Sequence, residues 1–477
     1  QQSRVDQAVA ASEIVRAEAA FDAVLGAGVN FARIDEPGND LLLAIPGGQP
    51  VIFDQGQDAR QWGFTTDVTR RLGSGGLVSV SFGTDETSIY NTTTPTVFDD
   101  AWDSAVALGI GQPLLRGFGE DVNTAQIRLA RNADRKAAVA IRANLLALLV
   151  QVENAYWNLV LARQDLVIAE WLEEGDRIRE ILSNRRGFDT TLAQYADAVA
   201  TVESRKTRVI QARRDVGRTA DALKALVNDP DLPVGGEFDL VPVDFMIDAP
   251  FGYDLRNSIS TALARSPFID AAILDIDDAS IREIVARNGR LPQLDLQAEI
   301  SWLGLSDGFG SSVREIDGDY VDYLVGLQFS QPIGNRAADS VLQQARLRRS
   351  SAVIGYRNAI QEVVLDVKNA IRDIAAGYAL VAQARNFRLA QAENLRSLEA
   401  LRETLAALTP EFLNLLFQRQ ERLGEAQAQE LRAMTVYNLS IAELGRATGS
   451  GLEANGIDLV VVGPDAGSAA NVLDGGS

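Results

Sequence analysis

The chain has 477 residues, with 65 acidic and 45 basic side chains and a net charge of −20. That balance argues against nucleic acid as a partner, because phosphate binding wants a basic face. The absence of cysteine and histidine excludes disulfides, thiolate nucleophiles, Cys/His zinc sites and every catalytic arrangement built on an imidazole.

In chain order, a first helix is expected to end in ASEIVRAEAAFD (11–22), and a strand follows at about 22–33 (DAVLGAGVNFAR). Two strands, WGFTTDVTRRL (62–72) and GLVSVSFGT (76–84), are joined by the tight turn Gly73, Ser74, Gly75, Gly76. A fourth, AWDSAVALGIG (101–111), runs into Gln112, Pro113 and Gly117. Then comes a long helical pattern. Its apolar positions Ile141, Leu145, Leu148, Val152, Ala155, Leu159, Ala162, Leu166 and Ala169 are spaced alternately by four and three, the heptad pattern of a left-handed supercoil. Asp121 and, later, Asp339 stand where N-caps are expected. The pattern reaches about residue 184, and a return helix is expected over about 190–227. The longest apolar run, NLLALLVQV (144–152), falls well short of the roughly 20 residues of a membrane-spanning helix. The chain opens at Gln1 with no visible secretory signal and reads as a processed form, for which a lipid anchor on an N-terminal cysteine is not expected.

Residues 228–262 break the helical pattern with prolines and short apolar runs, and the second half then repeats the first. Glu-Ile-Val recurs (13–15, 283–285), as do Gln-Pro (Gln112-Pro113, Gln331-Pro332), RLAR/RLRR (128–131, 346–349) and VENAYWNL/VKNAIRDI (152–159, 367–374). The offsets drift from 270 through 219 and 218 to 215, so the copies are diverged, with the largest insertion before the first Gln-Pro. Strands are expected at about 292–303 and 321–331, then a second heptad helix (Ile360, Val363, Val367, Ala370, Ile374, Gly377, Val381, Ala384) and a return helix over about 411–447. The layout is a first repeat over 1–227 (helix, strands at about 22–33 and 61–111, long helices over 120–227), a linker over 228–262, a second repeat over 263–447 (helix, two strands, long helices over 338–447) and a C-terminal segment over 448–477. Helices of some 60 residues make rods of about 90 Å, which must pack along other rods.

The strands alternate cleanly. Leu294, Leu296, Ala298, Ile300 and Trp302 share one face with Val321, Tyr323, Val325, Leu327 and Phe329 opposite, while Asp295, Glu299 and Asp322 lie on the other face. Each strand is near the roughly 9 to 11 residues that cross a bilayer as a tilted barrel strand, apolar outward and polar inward. The competing soluble reading is a β-ribbon on a coiled coil. Asp295, Glu299 and Asp322 are candidate lumen residues. Gln112, Pro113, Gly117, Gln331, Pro332 and Gly334 read as junctions, where proline stops a strand and glycine permits the sharp turn into a helix. The glycines fit no phosphate-loop spacing. The acidic loops with Asp99, Asp100 and Asp103, or with Glu315, Asp317, Asp319 and Asp322, lack a full calcium-loop spacing and read as solvated.

The duplicated layout, with LPQLDLQAEISW, VGLQFSQPIG, GIGQPLLRGFG, VENAYWNLVLA and residues 261–296 beginning TALARSPFIDAA, resembles the TolC-type outer membrane efflux protein family over about residues 1–447. The resemblance implies an α+β membrane protein: a homotrimeric channel-tunnel with one shared transmembrane β-barrel, four to six strands per protomer, and a periplasmic α-helical coiled-coil tube. The insertion favours six. It implies a passive exit duct in the outer membrane of a Gram-negative-type bacterium, serving efflux or type I secretion, with no enzymatic activity, no cofactor and no metal. Its implied partners are a periplasmic adaptor (membrane fusion protein), an inner-membrane pump of RND, ABC or MFS type reached through the adaptor, and outer-membrane lipid. The adaptor-docking tip falls on Arg185, Arg186, Gly187, Phe188, Asp189 and Thr190, and on Thr409, Pro410 and Glu411. Ala193 stands where the family often has an acid and Leu408 where it has a second tip glycine. The aperture positions, aspartate in some relatives, fall on Asn414 and Phe417, so the acidic gate is not reproduced. The competing function is a non-conducting envelope-spanning rod.

Overall fold

The computed structural model describes residues 2–36, 41–43, 51–53, 57–89, 100–173, 192–236, 238–404 and 409–457. Contacts divide the chain into two compact units, one containing Gln1–Ala137 and Ile273–Gly355, the other Ala138–Ala272 and Tyr356–Gly463. The units cut across the sequence repeats, since each draws on both.

The first unit begins with α1 (Gln2–Glu18) and a 3-10 turn (Ala19–Phe21). Strands β1 (Ala23–Glu36), β4 (Gln57–Arg71), β5 (Leu77–Ile89), β6 (Asp100–Pro113), β7 (Gln293–Ser306) and β8 (Val321–Ser330) form one antiparallel sheet in the order β1-β4-β5-β6-β7-β8. The short strands β2 (Leu41–Leu43) and β3 (Val51–Phe53) make a separate ribbon that the sequence pattern does not announce. All six sheet strands begin or end near the expected places, yet five run to 13–15 residues, longer than a bare crossing needs. Ladder pairing continues past the apolar stretch, because the backbone gains hydrogen bonds whatever the side chains are. The turn over 72–76 closes through Leu72 N donating to Gly76 O (2.7 Å) and Gly75 N to Leu72 O (2.9 Å), with Gly75 at φ 92°. The polar loop after β7 is partly ordered as a short helix, α7 (Phe309–Arg314), the helices being numbered in chain order.

Helix α2 (Glu120–Asn123) is capped by Gly119 at φ 107°, so Asp121 lies inside it rather than at its N-cap. After a break at Thr124, α3 (Ala125–Glu173) runs on. In the first unit α3 is pinned to α6 (Pro267–Gly289) by polar contacts. Asn132, almost fully buried, donates to Asp277 (2.7 Å) and Asp278 (2.9 Å), and Lys136 to Asp275 (2.6 Å) and Asp278 (2.7 Å). Helix α8 (Arg336–Thr404), 69 residues long, starts two residues after Gly334. Asp339 sits in its first turn, not at the cap, and pairs with Arg290 at 2.6 Å. Buried Glu283 of α6 faces Arg287, Arg346 and Arg349.

In the second unit α3 and α8 pack with α4 (Leu192–Val227) and α9 (Pro410–Thr448), while α5 (Leu255–Arg265) and α10 (Gly451–Ala454) close against α9. The heptad seam of α8 is the core: Val363, Val367, Ala370, Ile374 and Val381 pack against Tyr437 and Leu444 of α9 and against Ala262 and Ile269. Helix α3 instead uses two adjoining stripes. Leu159, Leu166 and Ala169 meet α4, while Ile168 and Leu172 meet Ala428 of α9. With apolar residues on more than one stripe, α3 contains an 18-residue window of mean hydropathy 1.4, enough by composition to cross a membrane, although it lacks an unbroken apolar run. The linker from 238 to 251 lies extended on the helices. Tyr156 Oη donates to Asp244 (2.8 Å), Asn438 Nδ2 to Ile247 O (3.1 Å), and Tyr437 Oη to Ala249 O (2.8 Å).

Candidate channel face and its junctions

Directly opposed residues of antiparallel strands point to the same side, so the ladder register sorts the sheet's two faces. One register line runs Phe31, Trp62, Glu86, Trp102; others run Val68, Val80, Leu108, Ile300, Tyr323 and Leu296, Leu327. This face is apolar through its middle and largely uncovered within the chain, with Val29 76% and Tyr323 82% exposed. At one end it turns polar, and there α7 covers it. Ser104, fully buried, bonds Thr84 (2.9 Å) and Ser312 (2.7 Å), while Trp102 stacks edge-on with Trp62 and Phe309.

The opposite face is polar, small and acidic. It carries Asp67, Asp85, Asp103, Asp295, Glu299 and Asp322 among Gly26, Gly28, Gly63, Gly109, Gly111 and Gly326. Asp85 stands directly opposite Asp103, and Glu299 opposite Gly109. Several glycines make room: a Cβ at Gly63 would collide with Asp85, and one at Gly26 with Asp67. Arg71, at the strand end, is the sole basic residue of this face within the six strands. The sequence-expected trio Asp295, Glu299 and Asp322 thus shares its face with Asp67, Asp85 and Asp103, which were not singled out as lumen residues, and with Glu36 at the end of β1. Alternation in β4, β5 and β6 held that signal.

No group of three or more acidic side chains gathers as a metal site among the described residues. Asp100 accepts from Ser88 (2.5 Å), Asp103 belongs to a strand face, and Asp317 accepts from the Asp319 amide (3.2 Å). Asp99 lies outside the described residues.

At the first junction, Gln112 continues β6 and holds the preceding hairpin. Its amide oxygen accepts from Ser74 Oγ (2.8 Å) and its Nε2 donates to Ser74 O (3.3 Å). Gly117 (φ 86°) donates its amide to Asn288 Oδ1 (2.7 Å). At the second, Gly334 (φ 88°) and Asn335 (φ 41°) make the turn, Gln331 and Pro332 are exposed, and Asn335 Nδ2 donates to Arg290 O (2.9 Å).

Of the expected tip, Arg185, Arg186, Gly187, Phe188, Asp189 and Thr190 lie outside the described residues. Thr409, Pro410 and Glu411 form the start of α9: Thr409 caps it by accepting from Phe412 N (3.3 Å), Pro410 takes an early position that needs no donor, and Glu411 sits in the first turn. Asn414 donates to Asp197 at 3.4 Å on an exposed surface. Phe417 is turned inward among its neighbouring helices. It is 4% exposed, packed with Val202, Leu395, Leu413 and Leu416, and lies 4.7 Å under the Arg205 guanidinium. It lies on the helix face that meets α4 and α8.

Arg205 itself was not foreseen. Nearly buried, it donates to Leu172 O (2.9 Å) and Phe417 O (3.2 Å), so it joins α3, α4 and α9; burial lowers its pKa and Glu421 opposes that. Higher along the same helices, a polar groove of about 720 Å³ between α3 and α4 is lined by Asn154, Asn158, Asp165, Gln211 and Asp215. Burial raises the Asp165 pKa, against the pull of Arg432 and Arg208.

Residues 258–450 match the model of the outer membrane efflux protein family. No curated protein matches the sequence. Among solved structures, a membrane protein from Pseudomonas aeruginosa is similar at 17% identity and TM-score 0.64, over 94% of this chain and 89% of that one. The Campylobacter jejuni CmeC outer membrane channel is similar at 15% and 0.63, over 94% and 82%. The outer membrane protein VceC from Vibrio cholerae is similar at 16% and 0.63, over 94% and 92%. The model of the outer membrane efflux protein family thus matches the whole second repeat, and nearly the whole length of the chain shares the fold of these outer-membrane structures.

Proposed function

We propose that the chain is one third of a passive outer-membrane exit duct, a homotrimer whose six-stranded sheets close into one shared barrel. The observation that carries this is the sheet with one exposed apolar face, one acidic face and two unpaired edges, β1 and β8. Open strand edges are not tolerated in lipid, so a sheet that faces hydrocarbon must close, and copies of itself are the simplest closure. The acidic face then lines the pore and favours cations. The long helices form the periplasmic tube, and its tip, at 185–190 and at Thr409, Pro410 and Glu411, docks a periplasmic adaptor that leads to an inner-membrane pump. The channels among the structural relatives, CmeC of Campylobacter jejuni and the outer-membrane channel OprN, lend the same direction.

Native mass spectrometry of the detergent-extracted protein tests the assembly, and planar-bilayer recording tests conduction. A particle of three times 51.5 kDa that conducts, with cations favoured, is expected. A monomer or dimer overturns the closure, and a trimer that does not conduct leaves a structural rod.

A further inference from the structure

The two strand-to-helix junctions are related by the internal repeat, yet only one is covered. At the first, the turn over 72–76 lies against Gln112: Ser74 Oγ and O engage both ends of the Gln112 amide, and Gly119 N donates to Ser74 O at 3.1 Å. Contact is close enough that a Cβ on Gly75 would collide with Gly117 O and Asn123. That turn belongs to the β4–β5 hairpin, which the second repeat lacks. At the second junction Gln331, Pro332 and Gly334 are exposed, and Ile333 is 104% exposed. The Gln331 amide reaches only the carbonyl of adjacent Pro332, at 3.5 Å. A fully bare isoleucine directly after an apolar strand calls for a cover.

The sheet says what stands beside it. Strand β8 pairs with β7 on one side only, and β1 with β4 on one side only. The start of β1 lies at the same end of the sheet as the end of β8, the end that also holds the 72–76 turn. A second copy's β1 therefore joins β8 antiparallel. A slip of one residue would exchange the apolar and acidic faces, so only alternate registers are allowed. Setting Phe329 opposite Ala23 or Leu25 keeps Leu327, Val325 and Tyr323 in line with apolar residues of β1. Either register brings residues 19–22 alongside Gln331, Pro332 and Ile333. This segment is the tight 3-10 turn Ala19–Phe21, with Ala19 and Ala20 exposed, Asp22 N donating to Ala19 O (3.1 Å) and Phe21 O held by Arg70 Nε (3.1 Å).

We propose that the 19–22 turn of a second copy caps the 331–335 junction, in the place that the chain's own 72–76 turn takes at the first junction. Small apolar Ala19 and Ala20 cover Ile333, and the turn's backbone groups meet the Gln331 amide as Ser74 meets Gln112. The assignment rests on the trimeric closure proposed above and adds to it a contact outside the barrel ladder. The interface is heterologous, so residue 20 of one copy meets residue 333 of the next and never residue 20 again.

Because the chain has no cysteine, thiol cross-linking reads this directly. The full-length protein in detergent, carrying Ala20→Cys and Ile333→Cys together, is treated with an oxidant or a short flexible bis-maleimide and run on a denaturing gel. Most chains are expected as covalent trimer, with either single variant staying at monomer mass. Val29→Cys with Val325→Cys, in mid-strand, reports barrel closure alone. If that pair links into trimers and Ala20→Cys with Ile333→Cys does not, the cap is overturned and the closure stands. If neither pair links, both fall.

Discussion

Arg205 is the residue most at odds with its surroundings. A charged side chain with 4% of its surface left, it is held by two helix carbonyls, the Phe417 ring and Glu421 at 3.7 Å. Hydrogen bonds to a charged group and a desolvated cation–π contact are each worth about 1.5–3 and up to about 2 kcal/mol. Arg205→Ala is expected to cost about 2–4 kcal/mol, seen as a lower thermal midpoint by circular dichroism, while Arg205→Met, which keeps the packing but not the charge, loses less. Equal losses would assign the effect to volume alone. Nothing in the sequence marks this arginine among the many that lie exposed, since its burial is decided by which helices meet there. The junction glutamines were legible for a different reason: proline and glycine carry local backbone rules that hold before any packing is known. Glu13 and Glu283 show the limit of the repeat as a guide. Glu283 is ringed by arginines of α6 and α8, whereas Glu13 pairs with Arg16 of its own helix.

Among the elements, the long helices were read most fully. The four-three spacing of α8 marks Val363, Val367, Ala370, Ile374 and Val381, and these are the buried core. The same seam explains Gly377, where a Cβ would lie 3.3 Å from Tyr437 Cα, so α8 and α9 meet there nearly backbone to backbone. Gly377→Val is expected to destabilise by about 1–3 kcal/mol through overpacking, with Gly377→Ala far milder, both read as shifts in the unfolding midpoint. Equal tolerance of valine would mean that the helices can part at this point. In α3 the spacing picked out a single seam where two stripes are used, because the helix meets both α4 and α9. Strand existence was legible from alternation, but strand ends were not: ladder bonds extend β4 to β7 beyond the apolar stretch, into residues whose side chains give no period. The short helix α7 was hidden for a related reason, since its anchors Ser104 and Thr84 are ordinary polar residues until the register sets them under it.

Across the whole molecule, sorting of charge is the property with the most direct consequence for transport. Six carboxylates, Asp67, Asp85, Asp103, Asp295, Glu299 and Asp322, stand along the small-residue face with Glu36 at its end, and the charges of the apolar face lie toward its ends: Arg33, Asp35, Asp58, Arg60, Glu86 and Asp100 at one and Arg70 at the other. Replacing Asp85, Asp103 and Asp322 by asparagine keeps size and removes charge. The ratio of cation to anion permeability, from reversal potentials in a salt gradient, is expected to fall toward one. An unchanged ratio would place the selecting charges elsewhere along the path. The competing ribbon-on-a-coiled-coil reading stayed open at the sequence level because alternation alone does not say what covers an apolar face. Six paired strands with that face bare give it a sharper form.

The 72–76 hairpin turn has a bearing on how such proteins diversify. A hairpin adds one strand going up and one coming down, so the chain returns to the end it left and the next helix still departs on the same side. One extra strand alone would deliver that helix to the opposite end of the sheet, away from the helices it packs with. In the trimeric barrel proposed above, pore width would therefore change in discrete steps of two strands per chain, six per threefold ring, and intermediate calibres would be closed to gradual change.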